Sequence, residues 1–375
     1  MRVLLTGGGT AGHINPALAI AHTIRQNDPG AVIEFVGIRN GKEAELVPRE
    51  GYPLHFVESQ GFRRSLSLSN LRAAWLALTS PYLPKTKKIL TDFRPDIVIG
   101  TGGYACWPIT AAAARMGIPT AVHESNSIPG LTIRQLQKKV DCIWTNFEST
   151  AGYLKTSKPI LRVGNPLRGG FGGVSKEEAK RTLGIAPDRF FVLSFGGSLG
   201  AEAINRAVVR AMKTFVSKHP KVLHLHATGK RDHAETLAEY EVQGLQAFEN
   251  CQITEYIYDM SLRMAAADLV ICRAGAVTLS ELALLGKAAV LIPSPYVAEN
   301  HQYHNAKTLA DAGAALLVEE STLEEGTLQK ALEQVAFSKE ARERLEENIR
   351  PFADPDANRR IWEEILRLTN GAKQG

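Results

Sequence analysis

The sequence predicts an α/β protein made of two Rossmann-like domains facing across a cleft, and three observations carry that prediction. Short apolar runs alternate with helical patterns along nearly the whole chain, and the runs are apolar on both faces. Strands of a parallel sheet covered by helices on both sides read this way. A glycine-rich segment with a proline, Gly164-Asn-Pro-Leu-Arg-Gly-Gly-Phe-Gly-Gly173, interrupts the alternation near the middle and cannot extend a helix or a central strand. The alternation then restarts, and 375 residues suffice for two domains of ordinary size, each with its own core.

In the first half, residues 3–5, 32–36, 97–99 and 120–122 read as strands, and residues 16–26, 71–79 and 107–116 as helices. In the second half, strands are expected at 190–194, 222–225, 252–253, 269–271, 289–292 and 315–318. The expected boundaries are an N-terminal domain at 1–163 and a second domain at 164–351. A last helical segment, about 352–375, is expected to pack back on the first domain. Glycine clusters follow three of the strands: Gly7-Gly-Gly9, Gly102-Gly103 and Gly196-Gly197. In doubly wound sheets ligands bind beyond the carboxyl ends of the strands, where these clusters fall.

Composition narrows the class. Apolar content of 44% and charged content of 22% are those of a globular protein. A formal charge of +5 permits a local basic patch but does not suggest a nucleic-acid binder. Cys106, Cys142, Cys251 and Cys272 are scattered without a C-x-x-C pair, so buried free thiols in a reducing compartment are expected. No apolar run approaches the length of a membrane span, and the N-terminus breaks into glycine too soon for a signal peptide.

Gly7-Gly-Gly-Thr-Ala-Gly12 satisfies G-x-G-x-x-G between a strand and a helix, with Glu34 about the right distance downstream to hold a dinucleotide ribose. A nicotinamide or flavin enzyme is therefore a rival reading. Against it, Glu34 falls inside its strand rather than at the carboxyl end, and the loop runs on into His13-Ile-Asn-Pro16. An imidazole at a helix start is kept neutral by the dipole and can take a proton from an attacking hydroxyl. The plain alternative is a loop histidine bonded to backbone.

The stretch Arg273-Ala-Gly-Ala-Val-Thr-Leu-Ser-Glu281 follows the apolar run Asp268-Leu-Val-Ile-Cys272. A strand turning into a helix through small residues leaves backbone N–H groups free, with the helix dipole behind them. Thr278 and Ser280 add hydroxyls, and Glu281, placed in the first turn, offers a carboxylate to a vicinal diol such as a ribose. Half of a nucleotide-diphosphate pocket and an ordinary strand–loop–helix unit both fit this stretch taken alone.

Seven motifs occur in order: Gly8-Gly-Thr-Ala-Gly-His-x-x-Pro16, Thr101-Gly-Gly-Tyr104, His123-Glu-Ser-Asn126, Gly164-Asn-Pro-Leu-Arg168, Gly196-Gly-Ser-Leu-Gly-Ala201, residues 273–281 and His301-Gln-Tyr-His-Asn-Ala306. Together they resemble the MurG family, transferases that add N-acetylglucosamine to lipid I to make lipid II in peptidoglycan synthesis. The resemblance spans residue 1 to about residue 310. It implies a GT-B glycosyltransferase fold, a UDP-GlcNAc donor in the C-terminal domain, lipid I in the N-terminal domain, and inversion at the anomeric carbon. Carried over motif by motif, the donor-binding positions are Thr10, Ala11, Gly12, Asn126, Arg168, Ser198, Ile257, Ala276, Val277, Thr278, Leu279, Ser280, Glu281 and Gln302. Among these the resemblance gives uracil to backbone near Ile257, ribose to Glu281, GlcNAc hydroxyls to Gln302, and pyrophosphate to Arg168 and Ser198. It suggests His13 as the catalytic base with Glu124 near the acceptor, and Thr101, Gly102, Gly103 and Tyr104 as acceptor-binding. Ala11 in place of a frequent glycine, and Cys106-Trp107 in place of smaller residues, are departures that bear on the acceptor side more than the donor side.

The only Asp-x-Asp, Asp354-Pro-Asp356, reads as a turn and helix cap, and His224 and His226 as a satisfied pair on one strand face. No metal and no cofactor beyond the sugar-nucleotide substrate are expected. Residues 63–88 place Leu71, Trp75, Leu78 and Tyr82 near helical spacing, with Arg63, Arg64, Arg72, Lys85, Lys87 and Lys88 around them. This reads as a patch that adsorbs to an anionic membrane surface, or as a helix packed on the sheet with a solvated face. The expected location is the cytoplasmic face of the cell membrane, held peripherally, with other cell-wall synthesis or division proteins as further partners. A non-catalytic sugar-nucleotide-binding subunit and a glucosyltransferase acting on diacylglycerol are the remaining alternatives.

Overall fold

The computed structural model describes residues 1–59, 79–169 and 171–371. The chain divides into two compact units: Met1–Arg168 with the terminal segment from Asp354, and Gly169–Ala353.

The first unit is built on strands β1 (Arg2–Thr6), β2 (Val32–Gly37), β3 (Leu54–Phe56), β4 (Ile97–Gly100), β5 (Thr120–Glu124), β6 (Cys142–Thr145) and β7 (Ile160–Arg162). They form one parallel sheet in the order β3-β2-β1-β4-β5-β6-β7. Val3, Leu5, Ile97 and Ile99 are wholly buried, and each such side chain contributes roughly 1.5–3 kcal/mol by leaving water. Helix Ala11–Asn27 and the terminal helix Ala357–Gly371 share one core with this sheet, through Ile14, Ile20 and Ile24 from the first and Ile361 and Ile365 from the second.

The second unit carries β8 (Phe190–Phe195), β9 (Val222–Ala227), β10 (Cys251–Thr254), β11 (Leu269–Cys272), β12 (Ala289–Leu291) and β13 (Leu316–Leu317). This sheet is also parallel, in the order β10-β9-β8-β11-β12-β13. Its core sets Val192, Leu269, Ile271 and Val290 against Ile204, Val208 and Met212 of helix Glu202–Thr214.

In both sheets the strand order reverses direction beside the first strand, between β1 and β4 and between β8 and β11. At such a switch point neighbouring loops run to opposite faces and leave a crevice. All the predicted strands are present. β3, β6 and β7, toward the sheet edges, were not predicted. The helix predicted from residue 16 begins at Ala11: the N–H groups of His13 and Ile14 already reach the carbonyl of Thr10, so the turn before Pro16 closes without the proline's missing donor. The helix predicted at 107–116 is Cys106–Arg115, and that predicted at 71–79 falls, but for its last residue, outside the described residues. All four cysteines are buried and unpaired.

Candidate active site

At the first unit's switch point, the loops after β1 and β4 close around His13, the third residue of helix Ala11–Asn27. Gly102 (φ +98°) and Gly103 (φ +76°) take left-handed conformations that suit glycine. A methyl group on Gly102 would lie 2.8 Å from His13 Cδ2, and one on Gly103 would collide with the carbonyl of Gly8. The imidazole therefore rests on backbone where no side chain fits. Thr101 is buried and its hydroxyl donates to the His13 carbonyl at 2.6 Å. His13 Nδ1 lies 3.2 Å from Thr10 Oγ1 and 3.3 Å from the Gly8 carbonyl oxygen. A carbonyl only accepts, so this contact requires the proton on Nδ1 and leaves Nε2 as the basic nitrogen.

Glu124, at the end of β5, is buried. Its Oε1 accepts from the Asn126 N–H at 2.9 Å and from Asn126 Nδ2 at 3.0 Å, and its Oε2 accepts from the Gly130 N–H at 2.8 Å. The carboxylate thus shapes the 125–130 loop. The preceding His123 is buried with Nε2 2.8 Å from the Gly164 carbonyl, and burial pushes its imidazole down to about 4. Glu34 lies inside β2 and meets His55 Nε2 at 2.5 Å, so the acid that a dinucleotide ribose would need is otherwise engaged. Arg168 pairs with Glu50 at 2.9 Å, both half-exposed.

At the second unit's switch point, Gly197 (φ +102°) and Gly200 (φ +93°) turn the chain from β8 into helix Glu202–Thr214. The Lys230 and Arg231 N–H groups donate to the carbonyls of Ser198 and Leu199. Ser198 is exposed. Beneath this loop runs a buried polar chain: Ser194 Oγ lies 2.8 Å from His224 Nε2 and 2.7 Å from His226 Nδ1. His226 Nε2 then meets Asn205 Oδ1 at 2.9 Å, and Asn205 Nδ2 donates to the Thr228 carbonyl at 3.0 Å. Burial lowers His224 to about 3 and His226 to about 4, so both are neutral at ordinary pH.

The loop after β11 leads through Gly275 into helix Ala276–Leu285. Glu281 is the sixth residue of that helix, which corrects its expected place in the first turn. The helix already starts at Ala276, directly after the extended Gly275, so Glu281 falls in its second turn. Burial pushes the Glu281 carboxyl up to about 8. Ser280 donates to the Ala276 carbonyl at 3.1 Å. Arg273 pairs with Glu320 at 2.5 Å and donates to the Ile292 carbonyl, so it buttresses the strand ends. Asn305, fully buried, donates to the Ala274 carbonyl. Gln302 Oε1 accepts from the Ser294 N–H at 2.9 Å. Ile257 is buried just beyond β10.

The first unit thus gathers Thr10, Ala11, Gly12, His13 and Thr101–Tyr104 at one switch point, and the second sets Ser198 and residues 276–281 on the loops and helix flanking the other. Asp354 and Asp356 pair with Arg360 and Arg359 of the terminal helix. Sequence reasoning missed Glu43, a buried acid whose Oε2 accepts from the Gly9 N–H at 2.9 Å. Its sequence neighbours give no sign of burial.

Comparison with known proteins bears on both units. The family model described as the glycosyltransferase family 28 N-terminal domain matches residues 3–145, and the family 28 C-terminal domain matches residues 191–361. A protein of Acetivibrio thermocellus named UDP-N-acetylglucosamine--N-acetylmuramyl-(pentapeptide) pyrophosphoryl-undecaprenol N-acetylglucosamine transferase is 41% identical over 375 residues, covering 100% of both chains. A protein of the same name from Thermoanaerobacter sp. is 40% identical over 98% of this chain and 100% of its own. The crystal structure of Acinetobacter baumannii MurG superimposes with a TM-score of 0.78 at 29% identity, covering 98% of this chain and 99% of that one.

Proposed function

The chain belongs to glycosyltransferase family 28, and from that premise we propose that it transfers N-acetylglucosamine from UDP-GlcNAc to the N-acetylmuramyl-pentapeptide of lipid I, forming lipid II and UDP. The fold is of GT-B type. The acceptor's C4 hydroxyl attacks the anomeric carbon with inversion, its proton passes to His13 Nε2, and UDP leaves with the electron pair of the broken C1–O bond. Relatives of full length and one named activity support the substrates. The single observation that carries the chemistry is the contact of His13 Nδ1 with the Gly8 carbonyl, which presents Nε2 as base.

The donor diphosphate is held by Ser198, by the N–H groups of the loop at 196–201 and of the helix beginning at Ala276, and by Arg168 once it leaves Glu50. Glu281 takes the ribose, backbone at Ile257 the uracil, and Gln302 the sugar hydroxyls. Thr10, Ala11, Gly12 and Asn126 complete the donor contacts. Gly102, Gly103 and Tyr104 line the acceptor side, with Thr101 beneath them, and Glu124 holds the loop beside it. No step calls for a metal or a cofactor.

Among the described residues no helix is long and apolar enough to cross a membrane. Residues 63–78 of the basic patch lie outside the described residues, while Tyr82, Lys85, Lys87 and Lys88 are exposed. Peripheral binding to the cytoplasmic leaflet through this patch fits a lipid-linked substrate, each basic side chain contributing about 1 kcal/mol at an anionic surface. Transfer of radiolabel from UDP-GlcNAc to a lipid I analogue is the test. Labelled lipid-linked disaccharide is expected, with little transfer from UDP-glucose to diacylglycerol; the opposite preference would overturn the proposal.

A further inference from the structure

The peptide that joins Gly8 to Gly9 meets a polar partner at each end. Its carbonyl oxygen lies 3.3 Å from His13 Nδ1, and its N–H donates to Glu43 Oε2 at 2.9 Å. The other oxygen of Glu43 accepts from the Ile38 N–H at 3.0 Å. Glu43 opens the helix Glu43–Arg49 and is fully buried. Three glycines make room for it: a methyl group on Gly8 or Gly41 would collide with its carboxyl group, and one on Gly37 with its Cγ. Both oxygens thus face backbone N–H donors inside a pocket wrapped by glycine.

We propose that Glu43 is a positioning residue for His13, acting through the Gly8–Gly9 peptide. A carboxylate at the N–H end of a peptide polarises it and makes its carbonyl a stronger acceptor. The Gly8 carbonyl then holds His13 Nδ1–H more firmly, fixing the tautomer and raising the proton affinity of Nε2. The unit works as an acid–imidazole pair with one amide inserted between acid and ring. Thr101 fixes the same residue from its backbone side. The proposal rests on the reading of His13 as base.

The other titratable groups at this loop do not compete. A methyl on Gly9 would lie 2.8 Å from the Tyr104 ring and hydroxyl, and burial, followed by Glu43, raises that phenol. Burial pushes the Cys106 thiol, beyond Gly102, up to about 11, with the Glu124 charge adding in the same direction. Both are neutral over the working range, and Glu124 is spent on its own loop.

The test uses the full-length protein with 15N-labelled histidine. In the wild type, His13 is expected as the Nδ1–H tautomer; an Nε2–H tautomer would overturn the proposal whatever any variant does. In Glu43→Gln, whose amide has one acceptor for two N–H groups, the His13 titration and the acid limb of kcat/KM are both expected to move about half to one unit lower. Turnover at pH 8 is expected to fall about 10–100-fold, with UDP-GlcNAc affinity within about two-fold. A merely structural Glu43 would lower turnover and leave both titrations in place, which also overturns the proposal. If Glu43→Gln does not fold, Glu43→Asp keeps the charge on a shorter stem, and the same two titrations read a smaller shift in the same direction. Should His13→Ala keep its turnover while Glu43→Gln shifts the His13 titration, the base reading fails and the coupling stands.

Discussion

In the first unit the switch-point loop after β1 is braced by a carboxylate; in the second the corresponding loop after β8 lies over a chain of neutral imidazoles. The two sheets share their strand order around that point, so the contrast lies in side chains. Glu43 and Glu124 accept N–H groups of the loops they hold. Both take up backbone donors, and Glu43 sets a carboxylate behind the peptide that His13 contacts, where the proposed base would become an imidazolium. His224, Ser194, His226 and Asn205 instead anchor the carbonyl of Thr228, and the neighbouring backbone ties end on the Ser198 and Leu199 carbonyls. That bracing adds no charge where a diphosphate would sit, and Glu281 is itself held largely uncharged near neutral pH by burial. In the proposed reaction one topology serves a base in one unit and an anion in the other, each with its own hidden brace.

Glycine substitutions should separate the two units most sharply. Gly103→Ala would drive a methyl into the Gly8 carbonyl and crowd His13 Nδ1 at 3.1 Å. A loss of about 10²-fold or more in turnover is expected, since displacement of a catalytic group by about 1 Å has that effect, with UDP-GlcNAc affinity within about two-fold. Gly229→Ala (φ +81°) would collide with the backbone N of Gly200. There the expected outcome is a loss of affinity beyond about tenfold and a destabilisation of roughly 2 kcal/mol or more, read by calorimetric titration and urea unfolding. Equal effects of the two variants on affinity would break the comparison.

Acid comes next in size. The buried imidazoles, His123 in the first unit and His224 and His226 in the second, titrate in the fold far below the unfolded value near 6.5. In the window from about 6.5 down to about 4 the unfolded chain binds more protons, so stability is lost as pH falls through it, by about 1.4 kcal/mol per pKa unit for each ring. The second unit carries two of the three and is expected to unfold first. No tryptophan falls in the second unit, Gly169–Ala353, so near pH 4.5 far-UV circular dichroism should fall at lower urea than tryptophan fluorescence changes. Coincident transitions would contradict this.

The smallest effect is expected at Arg168. Its half-exposed pair with Glu50 contributes no more than about 1 kcal/mol, so Arg168→Ala should barely move the unfolding midpoint yet weaken UDP-GlcNAc about three- to tenfold. Unchanged affinity would leave Arg168 to Glu50 alone.

Much of this was legible in the sequence where burial leaves a periodic mark. Runs such as Leu269–Cys272, buried on both faces, announced the central strands, and the alternation of His224 and His226 announced a shared face. The strands Cys142–Thr145 and Ile160–Arg162 are four and three residues long, too short to show a period. Glu281 was placed a turn too early because nothing in small residues marks where an extended loop becomes helix. Glu43 was invisible for a different reason: its partners are backbone N–H groups, one of them 34 residues away in the chain, and backbone donors leave no trace in composition.

The most direct measurement sets donor binding against turnover in His13→Ala, using calorimetric titration with UDP-GlcNAc and the lipid I transfer assay on the same preparation. Affinity within about three-fold of wild type and turnover reduced by about 10²–10⁴ are predicted. Turnover within a few-fold of wild type, with affinity intact, would contradict the assignment of the base to the first unit.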